Sequence, residues 1–265
     1  MISLQPWAGA RVHLTEVDPG TGALCGNVGL HVGDDEETVR TRRAALAAAL
    51  GRSVVWMNQT HSTTVETIHP GESGPVLASG ARLDRDGAGQ WGPVDCDGIV
   101  IDARGWSRAP CLAVQTADCL PVVFSADAGG VVAAVHAGRR GLLGGILARA
   151  VDAIRARTRG PIRALIGPAI CGGCYEVPED LAEASDLRMP GIRALTSWGT
   201  PSLDLPGAAA RFLTARGVEV TRDGRCTLEE LDLFSYRANP ACGRQALVIA
   251  AASPANDQPL RSSHA

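Results

Sequence analysis

Val131-Val132-Ala133-Ala134-Val135 is an unbroken run of small and β-branched residues, which reads as a strand buried on both faces with His136 at its C-terminal end. The turn Gly138-Arg139-Arg140-Gly141 follows, and apolar positions at 143, 146, 147, 150, 151 and 154 then keep helical spacing, predicting a helix over 142–157. Comparable short apolar stretches predict strands at 10–17, 53–58, 95–101, 111–116, 120–124, 162–168, 218–220 and 246–251. A helix over Glu36–Leu50 turns Val39, Leu46, Ala49 and Leu50 inward, with the Asp34-Asp35 pair to cap it and Gly51 to stop it. A third helix is predicted over 205–216. Residues 69–93 are rich in glycine and proline with little periodicity and are expected to form a mobile excursion, while the polar stretch 253–265 is expected to be a disordered tail. The mixture of strands and helices, with no internal repeat, gives an α+β class and a single domain over residues 1–252.

Composition narrows the possible partners. With 45% hydrophobic and 20% charged residues over 265 positions the chain has enough apolar surface for one large core. Its formal net charge of −3 supplies no field to attract nucleic acid or an anionic membrane, and neither partner is expected. All 25 basic residues are arginine, and the lack of lysine excludes Schiff-base chemistry and a Walker-type phosphate loop. No basic leader opens the sequence and no apolar run is long enough to span a bilayer, so a cytoplasmic location is expected. The eight cysteines are then expected as reduced thiols, for packing or metal ligation rather than disulfides. Nothing in the sequence bears on oligomeric state.

Three strand ends each offer a metal ligand: His61, Cys119 and His136. A Cys-His-His set is zinc-type chemistry, and three protein ligands leave a fourth position for water or substrate. The same residues admit other readings, namely a Cys119 nucleophile with a His136 base in a metal-free hydrolase, a zinc-stabilised interaction module, or plain packing of a satisfied histidine. Arg139 and Arg140, at a helix N-terminus between glycines, form an expected anion site. Asp118, beside Cys119, is expected to orient His61 or His136, or else to act as general acid or base. Cys171-Gly172-Gly173-Cys174 has the spacing of metal knuckles and redox pairs, but no second pair completes four ligands, so a glycine turn with incidental thiols is expected and a redox role is the alternative. Cys25, Cys96, Cys111, Cys226 and Cys242 are read as packing.

The segments Gln59-Thr60-His61, Thr116-Ala117-Asp118-Cys119-Leu120-Pro121, His136-Ala137-Gly138-Arg139-Arg140-Gly141, Gly167-Pro168-Ala169-Ile170, Tyr175-Glu176-Val177, Leu203-Asp204-Leu205, and Cys226-Thr227 leading to Phe234-Ser235-Tyr236-Arg237 occur in an order that resembles the laccase-domain, YfiH-like family from about residue 24 to 251. That family has been described both as multicopper polyphenol oxidases and as purine nucleoside phosphorylases. The resemblance implies packed mixed β-sheets flanked by helices, and a catalytic zinc on His61, Cys119 and His136, with copper as the alternative. It implies a cytoplasmic enzyme that takes a purine nucleoside and phosphate, cleaving adenosine, inosine, guanosine or methylthioadenosine, and that can deaminate adenosine. Asn27, Arg43, Gln59 and Arg140 become candidate substrate contacts, with Arg43 and Arg140 as phosphate holders. Polyphenol oxidation by copper and editing of cell-wall precursors are further activities linked to the family. Beyond the triad the only histidines are 13, 31, 69 and 264, a thin supply of ligands for a multicopper cluster. Four departures stand out: Arg139 for the family's usual tryptophan, Cys96 for a small residue, Ala238 for an arginine and Arg42 for an asparagine. None touches the triad. The change at 139 predicts purine binding that is weakened or redirected toward anionic substrates.

Overall fold

A computed structural model of the chain describes residues 5–20 and 22–252; the expected tail at 253–265 lies outside the described residues. Two large sheets form the centre. One has six strands in the order Gln5–Trp7, Ala10–Leu14, Gln245–Ala250, Cys111–Thr116, Val54–Met57, Trp91–Val94. The other has seven, in the order Val218–Arg222, Ile162–Ile166, Leu120–Ala126, Val131–Ala137, Gly98–Asp102, Val65–Gly71, Gly74–Leu77. Both mix parallel and antiparallel pairs, and the Val131–Ala137 strand is antiparallel to both of its neighbours. Among the described residues there are five α-helices: α1 Glu36–Leu50, α2 Arg139–Leu143, α3 Ile146–Arg155, α4 Glu179–Arg188 and α5 Leu205–Ala215.

The alternation of side chains along each strand sorts the core into three layers. Val55, Met57, Leu112, Val114, Leu247 and Ile249 from one sheet meet Ile99, Ile101, Val123, Val132 and Ala134 from the other. On the outer face of the seven-stranded sheet, Val131, Ala133, Val135 and Phe124 pack against Leu147, Val151 and Ile154 of α3 and Leu205, Ala208 and Leu213 of α5. On the outer face of the six-stranded sheet, Val54, Trp56, Ala113 and Val248 receive Leu46 and Leu50 of α1. The chain is therefore a single α+β domain of helix, sheet, sheet and helix layers, in which the strands are covered on both faces.

Several local expectations need correction. In α1 the Asp35 carboxylate accepts from the backbone N–H of Thr38 and Gly51 closes the helix in the left-handed region, as expected, but Ala47 is buried where Ala49 was expected. The helix expected over 142–157 is two helices. Gly145 has φ +93°, which breaks the α-helical path, and a Cβ on Gly144 would meet the Thr63 side chain at 2.7 Å. The piece that begins at Arg139 has only five residues, too few for the dipole invoked in the expected anion site. The 69–93 segment is not a structureless excursion, because it completes the Val65–Gly71 strand and supplies those at Gly74–Leu77 and Trp91–Val94. Helix α4 was not predicted, since it buries only Ala182 and Ser185 and carries no apolar stripe. Among the described residues no helix is long and apolar enough to cross a membrane.

Candidate functional site

The layer between the sheets opens at one end into a cavity of about 460 Å³. Strand parity dictates what points into it. Val132 and Ala134 face the partner sheet, and so does His136 two residues on; Leu112 and Val114 lead in the same way to Thr116, and Val55 and Met57 to Gln59. Where apolar residues stop filling the interlayer, polar ones line its mouth.

His61, Cys119 and His136 converge there. Their ligand atoms lie within 4.8 Å of one another, and Cys119 Sγ is 3.5 Å from His61 Nε2. The two imidazoles meet edge to face with centroids 4.7 Å apart. Gly138 makes this approach possible, because a Cβ there would sit 2.4 Å from His61 Cδ2 and 3.2 Å from Cys119 Sγ. Bonds of about 2.0–2.3 Å to zinc place tetrahedral donors roughly 3.3–3.8 Å apart, so the set fits such an ion with small side-chain movements.

Asp97 organises this centre, and sequence reasoning missed it. Its carboxylate is fully buried and accepts from His136 Nδ1 at 2.7 Å. It also accepts from the backbone N–H groups of Thr60, His61 and Ser62 and from the Ser62 hydroxyl, at 3.2, 3.0, 2.6 and 2.6 Å. One carboxylate thus fixes the ring of one histidine and the turn that carries the other. That turn needs fixing, because His61 has φ +61°, a conformation that costs a non-glycine residue about 1–3 kcal/mol. With Nδ1 directed at Asp97, Nε2 of His136 is left for the centre. Burial works to raise the Asp97 carboxyl, but the bonds from His136 and Ser62 hold it well below the ordinary carboxylate range.

Burial likewise opposes charge on Cys119 and His136, and their hydrogen bonding and mutual attraction overcome it. The thiol is brought down to about 6 by His136 and His61, and the imidazole is raised to about 9 by Asp97 and Cys119.

Other expected residues fall in unexpected places. The Asp118 carboxylate accepts from the Thr227 hydroxyl at 2.7 Å and from the Arg237 backbone N–H at 2.6 Å, so the orienting role expected of it belongs to Asp97. Asn27 is buried with both amide hydrogens given to Gly29 O and Asp34, and its oxygen accepts from Gly29 and Arg244; no bond remains for a substrate. Arg43 is buried as well. It donates to Val28 O and Gln115 and lies 3.9 Å over the Trp56 ring, and burial pushes it down to about 10. Gln59 lines the cavity but spends its amide pairing with the Gln115 main chain, at 2.7 and 2.8 Å. Arg140 is exposed and stands outside the cavity lining.

The guanidiniums that do line the cavity are Arg139, Arg237 and Arg244, and Tyr175 and Tyr236 stand among them. Arg237 lies 5.2 Å from the Tyr175 ring centroid and Arg244 lies 5.8 Å from that of Tyr236. Phe234-Ser235-Tyr236-Arg237 and Tyr175 were legible as motif residues but carried no local sign of their role. The Thr116 hydroxyl, in the same lining, is buried and has no hydrogen-bond partner. The structure also brings Cys226 and Glu229 to Cys171 and Cys174, supplying the second pair that the sequence reading found lacking.

A two-sheet domain with a convergent His-Cys-His group in a cationic, tyrosine-lined cavity defines a class of candidate metal-centred enzyme. Residues 24–252 match the model of the multi-copper polyphenol oxidoreductase laccase family, and the chain belongs to that family. It is 40% identical over 229 residues to a purine nucleoside phosphorylase of Corynebacterium glutamicum, covering 84% of this chain and 85% of the relative. A purine nucleoside phosphorylase of Mycobacterium tuberculosis is 39% identical over 230 residues, covering 84% and 83%. Among solved structures, a Neisseria meningitidis protein of the DUF152 family superposes with a TM-score of 0.75 at 32% identity, covering 94% of this chain and 98% of that one. YlmD from Geobacillus stearothermophilus gives 0.74 at 32% identity, with 93% of each chain covered.

Proposed function

We propose that the protein is a zinc-dependent purine nucleoside phosphorylase, acting on adenosine, inosine, guanosine or methylthioadenosine, with adenosine deamination as a side activity of the same cavity. The observation that carries this reading is the joint lining of one cavity by the His-Cys-His group, three guanidiniums and two tyrosines. The relatives named purine nucleoside phosphorylase support it. Zinc on His61, Cys119 and His136 would supply Lewis acidity at its remaining position.

The chain's own residues account for the rest. Phosphate must be held against the ribose C1′ while its oxygen forms a bond there, the glycosidic bond breaks and negative charge grows on the purine. Arg139, Arg237 and Arg244 suit an anion by charge and by their forked donors. Asp118 fixes the backbone of Arg237, and Asn27 that of Arg244. Tyr175 and Tyr236 offer aromatic faces to a base, and Thr116 an unused hydroxyl. His31 lines the same space, and partial desolvation together with Arg244 and Arg43 lowers its pKa.

The test is incubation of the purified protein with inosine or adenosine, with and without phosphate, following free base and ribose-1-phosphate. Base released only with phosphate supports the proposal. Ammonia from adenosine as the main product would reverse the order of the two activities, and oxygen uptake with a phenol and no base release would sink it in favour of copper oxidation. Arg139 brings a second measurement. Replacing it with the family's tryptophan, Arg139→Trp, lowers the KM for inosine if an aromatic face there adds about 1–3 kcal/mol, by analogy with base stacking. An unchanged or raised KM would show that the arginine costs the purine nothing.

One observation favours a second reading. Cys119, His136 and Asp97 are arranged as a thiol, an imidazole and an orienting carboxylate, the constellation of a metal-free cysteine hydrolase. Metal analysis separates the two: one zinc equivalent fewer in Cys119→Ala than in the wild type excludes the hydrolase, whereas full activity in protein stripped of metal would establish it.

A further inference from the structure

Two short turns meet beside the cavity. In the first, the backbone N–H groups of Cys174 and Tyr175 donate to Cys171 O at 3.1 and 2.9 Å, curling the chain so that the two cysteines project together. In the second, Glu229 and Glu230 both donate to Cys226 O at 3.0 Å, which brings Glu229 round beside Cys226 in the same manner. The turns are held side by side by Cys171 N–H donating to Cys226 Sγ at 3.3 Å, the type of bond that stabilises a thiolate. Cys174 Sγ lies 3.5 Å from Glu229 Oε1, and the four donor atoms all lie within 4.8 Å of one another.

We infer that Cys171, Cys174, Cys226 and Glu229 form a second, structural metal site that takes zinc. Three sulfurs and a carboxylate oxygen are a donor set for a borderline-soft divalent ion, and their number closes a tetrahedron. The Cys174–Glu229 separation already equals the sulfur–oxygen edge of about 3.5 Å expected from bonds near 2.3 and 2.0–2.2 Å. The donors are too close together to enclose an iron–sulfur cluster. Packing alone explains the burial of Cys174 and Cys226 against Ile170, but it gives no reason for a carboxylate to stand against a buried thiol.

The position gives the site its purpose. Ile170 and Tyr175 flank the cysteine pair and line the cavity, and Thr227, next to Cys226, donates to Asp118. A metal here staples the two loops that form one wall of the cavity, and leaves no position open for substrate.

The experiment uses the full chain with the first centre disabled by His61→Ala and Cys119→Ala, stripped with a chelator under reducing conditions and re-equilibrated with zinc. Elemental analysis should find about one zinc per chain, and cobalt in its place should give the near-ultraviolet charge-transfer absorption of several thiolates. Adding Cys174→Ser should abolish both signals. Glu229 is exposed, so Glu229→Gln should leave the fold intact and weaken zinc at least tenfold in competition with a chelator. The inference is overturned if the doubly substituted protein binds no zinc, if its zinc survives Cys174→Ser, or if Glu229→Gln leaves the affinity unchanged. Alkylation and mass spectrometry of protein isolated without reductant that find Cys171, Cys174 or Cys226 in a disulfide would also overturn it.

Discussion

A single carboxylate that touches two histidine-bearing elements makes Asp97 the residue on which the centre's geometry depends. Asp97→Asn keeps the shape but lowers the charge that the His136 ring and three backbone N–H groups face. Partners of this kind are worth about 10–100-fold in metal affinity, and that loss is the expected result for the variant. Its stability effect has a definite pH sign. The folded carboxyl lies below its ordinary value near 3.8, so its contribution is complete above that value and fades as pH falls toward the folded one. The melting-temperature gap between wild type and Asp97→Asn should therefore narrow below about pH 4; a gap that widens there would contradict the assignment. Thr116 offers a test of opposite sign. Its hydroxyl is buried without a partner, and such a group costs about 1–3 kcal/mol. Thr116→Val should raise the melting temperature of the free protein and, if the hydroxyl meets substrate, raise KM about 2- to 10-fold for a bond worth 0.5–1.5 kcal/mol. A variant that is both less stable and kinetically unchanged would show the hydroxyl bonded elsewhere.

At the scale of elements, the turn after the Val131–Ala137 strand owes its sequence to space rather than to backbone freedom. Gly138 has φ −63°, open to any residue, yet a methyl there overlaps His61 and Cys119. Because the clashing ring belongs to an exposed histidine, Gly138→Ala should displace His61 while the fold survives. The expected result is metal affinity reduced at least tenfold with far-ultraviolet circular dichroism unchanged, and retained affinity would show that the ring tolerates the methyl. The same strand shows what was legible beforehand. Its apolar run gave the strand, and strand ends gave His61, Cys119 and His136, because a buried strand leaves few other places for polar chemistry. What stayed hidden was set by pairing between distant segments. Asp97 meets His136 only through the register of the Gly98–Asp102 and Val131–Ala137 strands, and Cys226 reaches Cys171 only across two loops. Arg43 and Asn27 misled for the converse reason: a charged or amide side chain looks like a ligand contact in sequence, and here each is consumed by the main chain around it. Helix α4 was missed because it buries so little.

For the molecule as a whole, the decisive contrast is between net and local charge. The chain carries a formal −3, which repels a distant anion, while Arg139, Arg237 and Arg244 gather at one end of the interlayer cavity. Screening acts differently on these two fields. Raising ionic strength from about 0.01 to 0.1 M shortens the Debye length from roughly 30 to 10 Å, weakening attraction between the cavity mouth and phosphate in solution, whereas a neutral nucleoside feels neither field. The KM for phosphate should therefore rise with added potassium chloride while that for inosine stays nearly constant. Removing one guanidinium should flatten the dependence and shift its level together. A charge-assisted hydrogen bond is worth about 1.5–3 kcal/mol, so Arg244→Gln should raise the phosphate KM by at least tenfold, with a smaller effect on inosine. The backbone amide of Arg244 stays held by Asn27, but its guanidinium also donates to Cys242 O and Gly243 O at 2.9 and 2.8 Å, so the melting temperature should fall as well and the phosphate effect is read from the ratio of the two KM changes. If both substrates respond alike to salt, or Arg244→Gln alters the inosine KM alone, the guanidiniums serve the base rather than the phosphate, and the division of the cavity proposed above must be redrawn.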